Sequence, residues 1–360
     1  MSLKPPDTVF RFLFTSSAWF VGESSGDSFW LTPAFPAFDR RNRIIQYPAG
    51  PYRHSHFTLS ILVPEPDRTK KVVPYPVYEW VGEEVSALLG AFYGKLILNL
   101  GHTQAGRLLT VPVSFDAAIS NYAKPPFNDS PRRPKGTDLN LQNAGALLDA
   151  YIRSENDTQL TFILRASEFY RIALENYGDK PEIAFTMLVS ALEALLDIRT
   201  YTENELYHES LLNDLKQIQE TCPNGVAIVN RLKARFFQIK RKIAALVSEY
   251  VPDSFFTERE TSLGFGFIKD RPELIERVRA AYDLRSRLLH TGDRTGLWFV
   301  EFDHQGSEIG LGEPVLRDKE LVKLLRQGVA LTGMERIVST VLRTVIERWI
   351  TTVSKPKAVV

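Results

Sequence analysis

Two side chains late in the chain stand where ordinary packing does not want them. Over residues 271–291, a rotation of about 100° per residue gathers Leu274, Val278, Ala281, Leu288 and Leu289 into one apolar stripe, and Arg285 falls near its middle. Arg277, Arg279 and Arg287 lie off that stripe. An arginine facing a core or an interface needs a carboxylate, phosphate or carbonyl partner, because burying an unpaired charge costs several kcal/mol. Five residues on, His290 precedes Thr291 and Gly292, a glycine suited to cap the helix. A histidine in a last helical turn feels the negative end of the helix dipole, which favours the charged ring and suits it to proton exchange near neutral pH. On a regular helix the arginine and the histidine stand about 140° apart. They meet one ligand only if the helix end unwinds near His290 or a second chain completes the site.

A partner for Arg285 is available in sequence. Residues 183–198 are almost all apolar apart from Thr186, Ser190, Glu193 and Asp197, which share a narrow stripe. Either these four form a thin solvated face, or Glu193 is turned inward and pairs with Arg285. A second charged feature is the basic run Arg231, Lys233, Arg235, Lys240, Arg241 and Lys242, with Phe236 and Phe237 between its cations. It could follow a phosphate backbone. The plainer reading, which is favoured, is an amphipathic helix with a basic solvated face and two phenylalanines in the core.

Other motifs fail on their chemistry. Gly101–Arg107 imitates a phosphate-binding loop, but Arg107 stands where lysine belongs and Leu108 where a magnesium-binding hydroxyl belongs. His54 and His56 would share a strand face, yet no carboxylate or thiol stands at ligand spacing, so they read as surface histidines and no metal site is expected. No Gly-x-Ser-x-Gly elbow marks a hydrolase.

The elements that must position these residues fall into two halves. Up to about residue 120, short aromatic or β-branched runs at 8–14, 28–32, 56–63, 72–78 and 107–114 read as strands, interrupted by one amphipathic helix over 83–95. Residues 124–138 hold four prolines and read as a linker. Helical periodicity then predicts helices at 159–177, 181–198, 203–220, 224–250, 271–291 and 318–352, the last broken or bent near Gly328 and Gly333, with a small hairpin over 297–302 and 308–311. The expectation is an α+β N-terminal domain over 1–138, ending in that linker, and an all-α helical bundle over 139–360.

Composition narrows the function classes. Forty-four lysines and arginines against 43 acidic residues leave a net charge of +1, and the balance is 15 to 13 up to residue 150 and 29 to 30 beyond it. That excludes an acidic disordered chain and a uniformly basic nucleic-acid wrapper. The single cysteine, Cys222, can make no intrachain disulfide, which fits a reducing, cytoplasmic setting. Arg11 interrupts the apolar start while Phe10, Phe12 and Phe14 alternate as in a strand, so a signal peptide is not expected, nor is a membrane span.

The segment Tyr282–Gly292, Tyr-Asp-Leu-Arg-Ser-Arg-Leu-Leu-His-Thr-Gly, resembles the Arg-x4-His signature of HEPN domains (higher eukaryote and prokaryote nucleotide-binding). Phe185–Asp197 resembles the second helix of the Apea-like branch, and the likeness spans roughly residues 150–350. It implies a HEPN-like antiparallel bundle that dimerises so that two Arg-x4-His copies face one cleft. The activity implied is a metal-independent endoribonuclease of a toxin-like or antiphage defence system, acting on RNA, needing no cofactor and inert toward DNA. Carried onto this chain, His290 is the general acid or base, Arg285 holds the scissile phosphate, Ser286 is a supporting polar contact and Glu193 orients Arg285. The alternative is a catalytically silent HEPN module that binds a nucleotide, RNA or a protein partner through the same cleft. The N-terminal domain resembles nothing that would assign it a ligand or partner, and a principal function seated there would leave no chemical signature in its strands.

Overall fold

Alternation in the first strand carries the sheet. In the computed structural model, Phe12 and Phe14 of β1 (Thr8–Ser16) are fully buried, opposite Leu59 and Phe57 of β4 (Ser55–Val63). The structure describes residues 8–16, 18, 20–34, 55–63, 78–106, 139–154, 157–258, 265–292, 298 and 307–354. The expected strands at 72–77 and 107–114, the linker 124–138 and most of the hairpin 297–302 lie outside these residues. With β2 (Ser24–Ser25), β3 (Phe29–Ala34) and β5 (Ile97–Gly106), the strands form an antiparallel sheet ordered β2-β3-β4-β1-β5. Beyond residue 139 the described elements are helices, so an N-terminal antiparallel sheet is followed by a largely helical region. Among the described residues no helix is long and apolar enough to cross a membrane.

The chain divides into two compact units, 1–178 with 342–360, and 179–341. In the first unit α1 (Glu79–Tyr93) buries Val85, Leu88, Leu89, Phe92 and Tyr93, then stops at Gly94 in the left-handed conformation. It lies so close to the sheet that a Cβ on Gly82 would come within 2.9 Å of the Phe12 ring. Next come α2 (Gly145–Arg153) and α3 (Thr158–Asn176), and α3 packs on α1. Asp157 caps α3 through the Gln159 N–H and also accepts a bond from Trp349 Nε1 at 2.7 Å. Trp349 belongs to α11 (Leu331–Val353), and so the end of the last helix joins the sheet-bearing unit.

The second unit holds α4 (Pro181–Ala194), α5 (Glu203–Leu206), α6 (Glu209–Thr221), α7 (Gly225–Arg235), α8 (Ile239–Tyr250), α9 (Arg271–His290), α10 (Lys319–Gln327) and the first half of α11. Two helices expected to be continuous are broken, and the last is broken at one of its two expected points. Extended Tyr207 and His208 separate α5 from α6, and Tyr207 is buried. Gln238, at φ +49°, separates α7 from α8. Gly328 ends α10, whereas Gly333, the other expected bend, stays inside α11. A Cβ on Gly333 would come within 2.2 Å of the Glu308 carbonyl oxygen, so its role is close approach rather than bending. In the last two helices Leu325, Val338, Val341, Leu342, Val345 and Trp349 are buried.

Candidate functional site

Helix α9 packs against α4, α8 and α10, and this places its arginines. Asp270 caps its start by accepting the Glu273 N–H, and Pro272 occupies the first turn, where its missing N–H costs nothing. Arg285 projects toward α4, and its Nη2 donates to Glu193 Oε2 at 2.8 Å. Thr186 and Ser190, which precede Glu193 on its stripe, are buried, so the stripe faces inward up to Glu193 and only Asp197 is exposed. Of the two readings of that stripe, the inward one is realised.

The pair is neither sealed nor open. The side chains of Arg285 and Glu193 are 19% and 22% exposed. Arg285 Nε is buried and has no hydrogen-bond partner. Burial pushes the Glu193 carboxyl above its ordinary range, and the Arg285 charge opposes that shift. One turn earlier, Tyr282 is raised first by burial and then by the negative charge of Glu193, so its phenol stays neutral beside the pair.

His290 is exposed at the C-terminus of α9. The helix keeps its form through His290, where Thr291 caps it with a 2.9 Å bond from its N–H to the Arg287 carbonyl, and Gly292 follows in the left-handed conformation at φ +69°. Unwinding is therefore not how His290 could reach Arg285. Five residues of regular helix hold the two about 140° apart, and Ser286, half-buried, lies between those directions. The structure brings Arg285 and Glu193 together and leaves His290 on a different side of the same helix. Leu289 shares the Arg285 side of α9 and is 54% exposed.

The basic run departs from the expected single helix. It is split between α7 and α8 by Gln238, and Phe237, expected in the core, is 72% exposed, while Phe236 is half-buried with its ring 6.2 Å from Tyr207. Two of its cations are tied down: Lys233 pairs with Glu203, and Lys240 bonds both oxygens of Asp283 at 3.0 Å. Lys242 lies over the Tyr201 ring at 5.8 Å. Arg231, Arg235 and Arg241 have no ion pair among the described residues. A continuous track of free cations is not what these residues form.

Two of the rejected motifs fall on strands of the sheet. Gly101–Gly106 is strand rather than the start of a helix, so no phosphate loop forms there. His56 is not at the surface: it is 6% exposed on β4, opposite Thr15 and Ala34, and His54 lies outside the described residues. Among the described residues no three His, Cys, Asp or Glu side chains gather as a metal site would need. The reading by residue type missed a second inward arginine, Arg336 on α11, whose apolar neighbours were the available signal. No protein-family model, curated protein or solved structure matches this chain.

Proposed function

We propose that the second unit is a metal-independent endoribonuclease whose site is completed by a second copy of the chain. The observation that carries the reading is Arg285, held by one bond to Glu193 at 2.8 Å with its side chain still 19% exposed. A guanidinium steadied in this way, and not fully consumed, can turn its remaining donors to an anion such as a phosphodiester. His290, exposed on the same helix, supplies the proton transfer. It takes the proton of a ribose 2′-hydroxyl as that oxygen attacks the adjacent phosphorus. His290 returns that proton to the leaving 5′-oxygen, and a 2′,3′-cyclic phosphate remains. Arg285 stabilises the charge that develops on the phosphoryl oxygens. DNA, lacking the 2′-hydroxyl, is inert.

The angle of about 140° between the two side chains sets the oligomeric requirement. One chain offers the arginine to one side and the histidine to another, so His290 of one copy acts with Arg285 of its partner. Exposed Leu289 beside Arg285 is an apolar contact for that interface. The test is cleavage of a mixed RNA pool in EDTA by the purified protein beside folded Arg285→Ala and His290→Ala variants. Each variant is expected to lose about 100-fold or more in rate. Mixing the two variants restores one intact site per dimer and part of the activity. Cleavage surviving in both variants overturns the reading. A protein that cleaves no RNA leaves the silent-module alternative, in which the same cleft binds a nucleotide, RNA or a protein partner.

A further inference from the structure

The first unit contains a cavity of about 390 Å³ walled by β4, α1 and α2. Leu59 and Ile61 of β4, Val81 and Val85 of α1, and Leu148 and Ile152 of α2 give it an apolar body. Its volume falls within the range of roughly 300–1,000 Å³ that small-molecule sites occupy. One charged side chain enters this lining, Glu84 of α1. Its Oε2 accepts a 2.6 Å bond from the Tyr151 hydroxyl, and among the described residues no cation pairs with it. A half-buried carboxylate against aliphatic walls normally has a positive partner, because one neutral hydrogen bond replaces little of its lost hydration. Tyr151 cannot give more than that bond, since burial and the neighbouring carboxylate keep its phenol protonated. In the same lining Ser154 Oγ is buried without a hydrogen-bond partner. A carboxylate without a cation and a hydroxyl without a partner thus share one apolar cavity.

We propose that this cavity binds a small amphiphilic amine, its ammonium group on Glu84 and its apolar body between β4 and the two helices. Glu84 keeps one oxygen for the ammonium while Tyr151 holds the other, and Ser154 accepts a second ammonium hydrogen or one from a neighbouring polar atom. The site is independent of Arg285 and His290.

Calorimetric titration of the full chain near neutral pH with phenylbutylamine, phenylbutanol and phenylbutyrate tests it. These probes share a body and differ in head charge. The amine is expected to bind best, the alcohol less well and the carboxylate least. Glu84→Gln, which preserves an acceptor for Tyr151, is expected to weaken the amine by about tenfold or more and to leave the alcohol unchanged. If that variant does not fold, the order of the three probes on the unaltered protein decides. The proposal is overturned if the carboxylate binds as well as the amine, if the amine does not bind at millimolar concentration, or if folded Glu84→Gln keeps the amine affinity.

Discussion

Arg336 and Arg285 both reach from an apolar helix face to a glutamate, but the surroundings of the two pairs differ in every respect that matters for role. The Arg336 and Glu308 side chains are 5% and 1% exposed, against 19% and 22% for Arg285 and Glu193. Arg336 makes three donor bonds, Nη1 on Glu308 and Nη2 on the Phe255 and Glu258 carbonyls at 2.6 Å each, with the guanidinium 3.8 Å from the centre of the Phe255 ring. Glu308 in turn accepts the Ile268 N–H at 2.9 Å. Arg285 makes one such bond and leaves Nε unmatched. A saturated buried pair fixes where segments run, while a partly satisfied one at the edge of a helix contact keeps capacity for a ligand. The comparison teaches that an inward arginine is a weak functional signal by itself, and that the state of its remaining donors sorts structure from site.

Breaking the saturated pair should have the largest effect. Arg336→Ala or Glu308→Ala leaves an uncompensated buried charge, and each is expected to cost about 3–5 kcal/mol in urea unfolding. A loss below about 1 kcal/mol would place the pair with ordinary surface ion pairs and remove the contrast. Replacing both members, Arg336→Met with Glu308→Leu, should cost less than either single alanine change, because no charge is then left stranded. A double variant at least as unstable as the sum of the singles would show that the carbonyl bonds of Arg336, rather than its charge pairing, hold the segment.

The second pair should respond less in stability and more in activity. Arg285→Ala and Glu193→Gln are expected to cost about 1–2 kcal/mol, between the values for exposed and buried pairs. Under the proposed reading Arg285→Ala loses RNA cleavage, while Arg336→Met with Glu308→Leu, where it folds, keeps it. Cleavage that tracks stability across both pairs would reduce Arg285 to a packing residue.

Much of this was legible in the residues. The strands at 8–14, 28–32 and 56–63 and the helix starts at Pro181 and near Asp270 rest on short-range periodicity, and the pairing of Glu193 with Arg285, one of two open readings, followed from charges of opposite sign on the inner faces of two helices. What escaped depends on elements far apart in sequence. A helical wheel assumes one buried stripe, but α9 is flanked by α4, α8 and α10, so Arg277, off the stripe, bonds the Gly328 carbonyl at 2.9 Å and Arg287 pairs with Asp318. The break at Gln238 has no proline or glycine to announce it, and it turned the expected basic helix into two. The strand β5 carries Gly101 at φ +94°, a residue type that argues against a strand when read alone. The Arg285–Glu193 pair was readable because both members lie on amphipathic helices. The bond from Trp349 to Asp157, between residues 192 apart, was not readable in this way.

The smallest expected effect is a difference in sign with pH. Burial holds the Glu193 carboxyl above its unfolded value, so in the window between the two values the folded chain binds the proton first. Stability from this group therefore rises as pH falls through the folded value and levels off below the unfolded one, near 4.3 for glutamate. Glu205 behaves oppositely: the Thr202 N–H, then the Arg199 side chain, hold it below its ordinary range, so its contribution is present above the unfolded value and is lost as pH falls through the folded one. Urea unfolding of the unaltered chain beside Glu193→Gln and Glu205→Gln, from neutral pH down to about 3, separates the two. Relative to Glu193→Gln the unaltered chain should gain stability in acid, and relative to Glu205→Gln it should lose it. If the Glu193 difference shrinks in acid instead, the charge of Arg285 outweighs burial. The pair would then belong with the saturated one, as a bond that holds the fold rather than a guanidinium kept ready for a phosphate.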